Sequence, residues 1–308
     1  MNLTPDVLGP LIIGMRAAYA RGENAMAHAR AVLGTAQNTS DATLIAYDLQ
    51  AGSYTAVVRE TRADNLRWCS QLADVLRPLF PAGGSLLEVG VGEATTLSTV
   101  SRLLSPAPAT VLGFDLSWSR CSVARDWLQE EGIKAEVFVG DLFSIPLADD
   151  SVDVVYTSHS LEPNGGRETD ALRELLRVAR RAVVLCEPIY ELGSSEAQAR
   201  MRQHGYVRGL ADTFRGIGAQ VKECRLLPYT TNPLNPSGVV IVEKNPTSAV
   251  SPALAFRCPL TNTPLVREAD VCFSPLTGMA YPILRGIPLL RTQHAVMASK
   301  IVTAGIKS

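Results

Sequence analysis

The stretch Ser85-Leu-Leu-Glu-Val-Gly-Val-Gly-Glu-Ala94 decides the fold. Ser85 to Val89 predicts a strand, and the glycines at positions 90 and 92 predict a turn that opens a helix. Glycines let backbone amides approach a ligand at the positive end of a helix, because no Cβ stands in the way. Strand-to-helix turns also need glycine for purely steric reasons. On this stretch alone, a ligand site and a simple connection are therefore equally good interpretations.

The rest of the central region predicts a parallel sheet. Short β-branched runs alternate with helical patterns, which is typical of strands joined by crossover helices. The further predicted strands are Thr110 to Phe114, Ala135 to Val139, Val152 to Thr157 and Ala182 to Cys186. The predicted helices include Leu49 to Leu76, Glu168 to Arg181 and Ser195 to Gly216. Residues 220–227 and 238–243 have too short a connection for a crossover, so we expect an antiparallel hairpin that closes the sheet.

Polar residues follow the predicted strands where they end. Asp115 lies 25 positions after Gly90, close to the interval at which doubly wound folds place an acid on ribose hydroxyls. Asp141 ends the third strand, where it could accept from an exocyclic amine or serve in a turn or as a helix cap. The turn Ser158-His-Ser-Leu-Glu162 follows the fourth strand, and Glu187 follows the fifth. These groups are expected to meet at one edge of the sheet.

Taken together, these strand ends resemble the class I S-adenosylmethionine-dependent methyltransferases over about residues 60–245. The resemblance implies an α/β fold with a doubly wound, mostly parallel, seven-stranded Rossmann-like sheet, and S-adenosylmethionine as cofactor. The residues that it assigns to the cofactor are Glu88, Gly90, Gly92, Asp115, Leu116, Asp141, Leu142 and Ser158. Many members carry a third glycine at Ala94, a departure expected to perturb little. Thr95, where a nicotinamide dehydrogenase would carry glycine, argues against that class.

Methyl transfer from a sulfonium needs mainly positioning and the removal of a substrate proton, so few catalytic residues are expected. His159 is the candidate base, with a structural role as the alternative. Glu162 and Glu187 are the rival catalytic groups.

Five residues are predicted to contact the substrate: Tyr54, Asn164, Tyr190, Asn232 and Asn235. Tyr54 belongs to an N-terminal region that would act as a lid. The two last asparagines lie in a hairpin tip expected on the cofactor side, although turn chemistry explains Asn-Pro pairs equally well.

The chain is predicted to contain three parts. Residues 1–60 would be a helical lid, 61–246 the methyltransferase domain, and 253–308 a small β-rich module with a final helix from about Thr292, after a linker from Asn245 to Pro252. Ala280-Tyr-Pro-Ile283 and Gly286-Ile-Pro288 resemble the small zinc-ribbon-like activator subunit of tRNA, rRNA and release-factor methyltransferases. Metal-binding members use paired C-x-x-C thiolates, which this chain lacks, so no metal is expected.

The composition of the chain argues against some classes of binding partner and location. The 29 basic and 30 acidic residues leave a formal charge of −1, with no excess of cations to hold a nucleic acid. Six widely spaced cysteines predict reduced thiols and a cytoplasmic location, and neither secretion nor a membrane anchor is expected. The oligomeric state stays open, with a homodimer as one option.

The sequence therefore predicts a methyltransferase for a small polar acceptor. O-methylation of a sugar, nucleotide-sugar or related metabolite is the leading interpretation. Two alternatives remain: methylation of RNA or protein presented by the activator-like module, and a non-catalytic protein that binds S-adenosylmethionine.

Overall fold

A seven-stranded sheet forms the centre of the computed structural model, which describes residues 3–35, 38–246 and 254–301. Its strands are β1 (Ser85–Val89), β2 (Thr110–Asp115), β3 (Glu136–Val139), β4 (Val152–Ser158), β5 (Ala179–Pro188), β6 (Val221–Leu226) and β7 (Ser237–Glu243). Their spatial order is β3-β2-β1-β4-β5-β7-β6, and β7 alone runs antiparallel to the others. The order reverses between β1 and β4, which places the ligand crevice at the carboxyl ends of these strands.

Ten α-helices accompany the two sheets in the described residues. They are α1 (Pro5–Ala20), α2 (Ala25–Leu33), α3 (Ser40–Leu49), α4 (Ser53–Glu60), α5 (Arg62–Leu76), α6 (Thr95–Leu103), α7 (Trp118–Glu130), α8 (Glu168–Val178), α9 (Ser195–His204) and α10 (Leu210–Gly216). None of the helices in this part of the chain is both long and apolar enough to cross a membrane.

Three predicted helices have different bounds in the structure. The one predicted over 195–216 is two, because Gly205 and Gly209 adopt left-handed φ angles of 67° and 64° that interrupt it. The one predicted over 49–76 is likewise interrupted, at Gly52 with φ 95° and again at Thr61. The helix predicted over 168–181 ends at Val178, and the chain continues directly into β5.

A buried ion pair explains why β5 begins early. The Arg180 guanidinium donates to Asp153 Oδ1 of β4 at 2.8 Å, and both side chains are almost fully buried. Ala179 pairs with Val152, so the backbone is extended beside β4 from this point. Asp153 also accepts from Ser85 and Arg181, so the buried Arg180 guanidinium is the group that depends most on this pairing, and removing a partner from a buried ion pair is costly.

The N-terminal helices α1 to α3 have a small core of their own. Leu11, Met15, Ala29 and Ile45 are buried within it. The Ser117 hydroxyl at the start of α7 donates to Asp48 Oδ1 of α3 at 2.6 Å, and this bond fastens the helical cluster to the carboxyl edge of the sheet.

The C-terminal residues form a second, antiparallel sheet. Its strands are β8 (Val266–Arg267), β9 (Val271–Phe273), β10 (Met279–Leu284), β11 (Ile287–Pro288) and β12 (Val296–Met297). The Leu290 amide donates to the Val139 carbonyl at 2.8 Å, so this sheet covers the edge of β3. Covering an edge strand removes a site for unwanted strand pairing.

The end of the chain differs from the prediction. In place of a helix from Thr292, the structure has a 3-10 turn over Thr292–His294 followed by β12. Val296 pairs with Ala280 of β10, and this pairing draws the segment into the small sheet. Residues 247–253, most of the predicted linker, and residues 302–308 lie outside the described part.

Candidate functional site

A cavity of about 570 Å³ lies at the carboxyl ends of β1, β2, β3 and β4, beneath α3 and α4. Small-molecule sites in proteins commonly have volumes of about 300–1,000 Å³. All eight residues predicted to bind the cofactor line it: Glu88, Gly90, Gly92, Asp115, Leu116, Asp141, Leu142 and Ser158. The structure therefore brings the predicted cofactor residues together in one place.

The turn after β1 requires its glycines. Gly90 has φ 70° and Gly92 has φ 54°, a conformation that side chains disfavour. A Cβ at Gly90 would overlap the Ser160 side chain, and one at Gly92 would meet the Arg120 guanidinium. Ala94 also lies in the left-handed region, with φ 58°, so the missing third glycine costs about 1–2 kcal/mol while α6 still begins directly after it.

Asp115 organises the same turn. Its Oδ2 accepts from the Gly92 amide at 3.1 Å, and its Oδ1 accepts from the Ser117 amide at 2.9 Å. A carboxylate has about four acceptor positions, so two are left for hydroxyls of a ligand in the cavity. This arrangement fits a ribose.

Glu88 at the end of β1 is almost fully buried, and its Oε2 accepts from the Tyr156 hydroxyl at 2.7 Å. Burial raises the pKa of Glu88 to about 8, although hydrogen bonds from Tyr156 and from the Leu97 amide act in the opposite direction. A cationic ligand in the cavity would lower this pKa and stabilise the ionised form. Glu88 is thus suited to a positively charged group.

Asp141 both stabilises a turn and lines the cavity. Its Oδ1 accepts from the Phe143 amide at 3.0 Å, which is turn chemistry and not a helix cap, because none of the described helices begins here. Its Oδ2 lies 3.7 Å from Arg291 Nη2, a buried cation of the C-terminal module. The C-terminal module therefore contacts the part of the cavity wall that Asp141 forms. Sequence reasoning missed Arg291, which carries no local signal.

His159 lies at the centre of a polar cluster on the β4 side of the cavity. Its Nε2 is 2.8 Å from Ser237 Oγ, and its Nδ1 is 3.6 Å from Glu162 Oε2. The indole of Trp68 meets the imidazole edge-on, with ring centroids 5.3 Å apart. Burial by itself would lower the pKa of His159, but Glu162, together with Glu187, outweighs burial and raises it.

Glu187 contacts this cluster on the side away from the cavity, and it does not line the cavity. It is fully buried, and its Oε1 accepts from the amides of Ser160 and Leu161 at 3.0 and 3.1 Å. These bonds hold the turn in which His159 adopts a left-handed φ of 55°. Burial raises the pKa of Glu187 to about 7, and the charge of His159 opposes this shift.

The five predicted substrate residues have different surroundings. Tyr54 and Asn164 line the cavity, and Asn235 Nδ2 donates to Glu162 Oε2 at 3.2 Å. Tyr190 lies outside the cavity, where its hydroxyl accepts from Arg202. Asn232 Oδ1 accepts from the Leu234 amide at 2.9 Å, which is turn chemistry. Their roles toward a substrate stay predictions.

Arg120 was not identified from the sequence. Its guanidinium is buried and lies over the rings of Tyr54 and Tyr47, with centroid distances of 4.5 and 5.2 Å. Within the described residues its side chain makes no hydrogen bond, and it is the one arginine or lysine that lines the cavity. A buried guanidinium needs oxygen acceptors, so a ligand in the cavity would have to supply them.

Glu93 was also missed, although it directly follows the glycines. Its Oε1 accepts from the amides of Gly52 and Tyr54 at 3.0 and 3.3 Å, and its Oε2 accepts from Thr55 at 2.7 Å. The side chain is almost fully buried at the beginning of α4. One carboxylate therefore joins the predicted cofactor turn to α4 of the predicted lid. In the described chain, no cluster of three or more His, Cys, Asp or Glu residues could hold a metal ion.

Comparisons with known proteins agree with this geometry. Residues 86–182 match the family described as "Methyltransferase domain". An uncharacterized 37.1 kDa protein in transposon TN4556 of Streptomyces fradiae is 34% identical over 112 residues, which cover 35% of this chain. The match spans 31% of that protein's length.

Two solved structures illustrate the fold. A candidate O-methyltransferase from Nostoc punctiforme has a TM-score of 0.52 at 16% identity, covering 79% of this chain and 70% of its own. Magnesium protoporphyrin IX methyltransferase from Synechocystis, solved with bound SAH, has a TM-score of 0.49 at 14% identity, covering 66% of this chain and 100% of its own. Only the first of these similarities is close enough to support the fold.

The strand order, the glycine turn and the match over residues 86–182 together define the class. Residues 86–182 form a methyltransferase domain, and the sheet that contains them has the class I methyltransferase fold. The predicted fold class and cofactor are thereby confirmed.

Proposed function

We propose that this protein transfers a methyl group from S-adenosylmethionine to a hydroxyl of a small polar acceptor, such as a sugar, nucleotide-sugar or related metabolite. The observation that carries the proposal is the His159 imidazole, which lines the cavity beside the glycine turn and contacts Ser237 Oγ at 2.8 Å. A histidine placed where cofactor and acceptor would meet can take the proton of an acceptor hydroxyl.

The residues of the cavity fit the cofactor. When bound, S-adenosylmethionine supplies an activated methyl group on a sulfonium cation. Asp115 would hold the ribose hydroxyls with its two remaining acceptor positions, and Glu88 would face the positively charged portion. Arg120 would donate to oxygen atoms of the cofactor, since no described residue accepts from its side chain. The lid residues Tyr47 and Tyr54 would exclude water.

The carboxylates around His159 suit its role as a base. An imidazole that gains a proton becomes a cation, and Glu162, 3.6 Å from Nδ1, would stabilise that cation. Ser237 Oγ donates to the Asn235 carbonyl and so would accept from Nε2–H of His159, which leaves Nδ1 as the nitrogen that takes the proton. Glu187 holds the turn on which the ring is presented. In this proposal Glu162 and Glu187 are therefore positioning residues, and His159 carries the proton.

The test measures the transfer of a tritiated methyl group to separate acceptors: sugar nucleotides, a small-metabolite extract, amines and total tRNA. We expect labelled product with hydroxyl acceptors. His159→Ala should keep the cofactor affinity and lower kcat by about 10²–10⁴-fold. An unchanged rate would move the base to Glu162, and Glu162→Gln is the matched variant for that outcome.

The same assay addresses the two alternatives. Label in tRNA or in protein, with none in the metabolite extract, would favour methylation of a macromolecule. Cofactor binding without turnover on any acceptor would favour a non-catalytic binding protein. Reaction of amines, with no reaction of sugar nucleotides, would overturn the assignment of a hydroxyl acceptor.

A further inference from the structure

A group of basic residues lies outside the cavity, on the side of Glu162. We define the basic rim as Arg30 of α2 together with Arg200, Arg202 and His204 of α9. Arg200 Nη1 lies 3.4 Å from Asn235 Oδ1, and Asn235 Nδ2 donates to Glu162 Oε2 at 3.2 Å. Two hydrogen bonds, both made by Asn235, thus connect Arg200 of the basic rim to the Glu162 carboxylate, which faces His159.

The cations of the basic rim come from two separate parts of the chain and lie close to one another. His204 and Arg200 both contact the Tyr206 ring, at centroid distances of 5.6 and 5.7 Å. Burial lowers the pKa of His204, and the charges of Arg200 and Arg30 lower it further, while Glu162 opposes them. A lowered pKa keeps His204 neutral near pH 7, so the cations of the basic rim are its three arginines, which come from the helical cluster and from α9.

The charges of the basic rim are not neutralised within the described chain. None of its four residues has a carboxylate within 4 Å there, and the groups that they contact are neutral. Arg30 donates to Asn38 Oδ1 at 2.8 Å, and Arg202 donates to the Tyr190 hydroxyl.

Some exposed arginines of the described chain have acidic partners, whereas others, such as Arg16 and Arg173, have no carboxylate within 4 Å. Arg77 lies 2.7 Å from Asp74, and Arg59 lies 2.7 Å from Glu130. In a chain with a formal charge of −1, an unpaired group of cations beside the cavity is a local feature. Like charges held together cost free energy, and an anionic ligand would offset that cost.

We propose that the methyl acceptor carries an anionic group, a phosphate or a carboxylate, and that the basic rim binds this group while the acceptor hydroxyl faces His159. The inference rests on the proposed function, because it names the substrate class of the same site. Guanidinium groups match phosphate and carboxylate oxygens with paired hydrogen bonds. Tyr190, predicted from the sequence as a substrate residue, would complete the binding surface beside Arg202.

The test is calorimetric titration of the full chain loaded with S-adenosylhomocysteine, at constant ionic strength. Inorganic pyrophosphate is the phosphate probe, malonate is the carboxylate probe, and glycerol is the neutral control. We expect at least one anion to bind and glycerol not to bind. Arg200→Gln and Arg30→Gln, on two different helices, should each weaken that binding about tenfold. Arg77→Gln should leave it unchanged, because Arg77 precedes β1 at the opposite edge of the sheet.

The outcomes separate the two proposals. Preference for pyrophosphate or for malonate identifies a phosphate-bearing or a carboxylate-bearing acceptor, and either result supports the inference. Equal anion affinity in the wild type and all three variants, or no anion binding at all, overturns it. Binding of S-adenosylhomocysteine is measured first in each protein. Its absence from the wild type would count against the proposed function, and its retention in the variants shows that they are folded.

Discussion

Asp115 has a structural role in the glycine turn, and its proposed second role is to bind the cofactor. It holds the amides of Gly92 and Ser117 and still has acceptor positions that face the cavity. Asp115→Ala should weaken the binding of S-adenosylmethionine by about 1–3 kcal/mol, since ribose hydroxyls would lose their acceptor. Calorimetry measures the change, with Asp126→Ala on the exposed face of α7 as the control. An unaltered affinity would rule out the ribose assignment.

The raised pKa of Glu187 predicts how the stability of the folded protein changes with pH. Its pKa in the folded protein is about 7, above the ordinary value of 4.5. Between these two values the folded state keeps a proton that the unfolded state releases, so stability from this group is lost as the pH rises. The Glu187→Gln variant has no carboxyl group at this position, so it does not lose stability in this way as the pH rises.

The free energy of unfolding of Glu187→Gln, relative to the wild type, should therefore increase from pH 5 to pH 8. Chemical denaturation at both pH values measures it. Glu88, whose pKa in the folded protein is about 8, also makes the stability fall as the pH rises. It does so in both proteins, so its contribution cancels in the comparison. Parallel pH profiles for the two proteins would show that Glu187 does not titrate in this range.

At the scale of elements, α4 depends on a residue from the opposite side of the cavity. Its first amides donate to Glu93, and its Tyr54 lines the cavity. A carboxylate at a helix N-terminus both caps amides and interacts favourably with the helix dipole. The position of the lid and the shape of the predicted cofactor turn are therefore coupled.

Glu93→Gln should loosen α4 without unfolding the sheet. Losing the charge and one carboxylate oxygen costs about 1–2 kcal/mol at the beginning of this helix. We expect faster hydrogen exchange over residues 52–60 and weaker binding of S-adenosylmethionine. Glu60→Gln, at the other end of α4, is the matched control. Exchange that increases equally in both variants, or in neither, would contradict the coupling.

At the scale of the whole molecule, the two sheets share a core. Phe256, at the start of the C-terminal module, meets Phe138 of β3 with ring centroids 5.0 Å apart, and both side chains are buried. The Leu290 amide and the Arg291 side chain add backbone and ionic contacts at the same edge. The module thereby contacts Asp141, a residue of the cavity wall, although none of its own described residues lines the cavity. Its resemblance to the activator subunit stays a prediction, as do the cytoplasmic location and the three domain boundaries.

Phe256→Ala should therefore destabilise the whole protein. Removing a buried phenylalanine costs about 3–5 kcal/mol, and the loss would fall on both sheets because they share this contact. Thermal unfolding should remain a single transition at a lower temperature. Leu260→Ala, at an exposed position of the same module, should have little effect. A separate early transition for the small sheet would show that it folds independently.

The sequence by itself determined the large sheet and the residues of the predicted cofactor site. Glycines, acids and apolar runs follow one another along the chain in a way that local backbone physics explains, as in the turn from Glu88 to Ala94. Because the carboxyl ends of parallel strands meet at one edge, Asp115 and Asp141 could be placed together without a structure. The predicted ends of helices and strands were less accurate. Gly205 ends a helix through its left-handed conformation, and Arg180 begins a strand beside a distant partner, and no local sequence pattern reveals either.

Only the tertiary structure decided which groups surround the proposed chemistry. His159 meets Ser237 across 78 positions of sequence, and Glu93 caps a helix about 40 positions earlier. The unpaired Arg120, the Arg291 beside Asp141 and the cations of the basic rim likewise lie far apart along the chain. Side chains at such separations come together through packing, and packing depends on the whole set of contacts. The physical reason is that burial and electrostatics act through space, whereas sequence patterns report only on neighbours along the backbone.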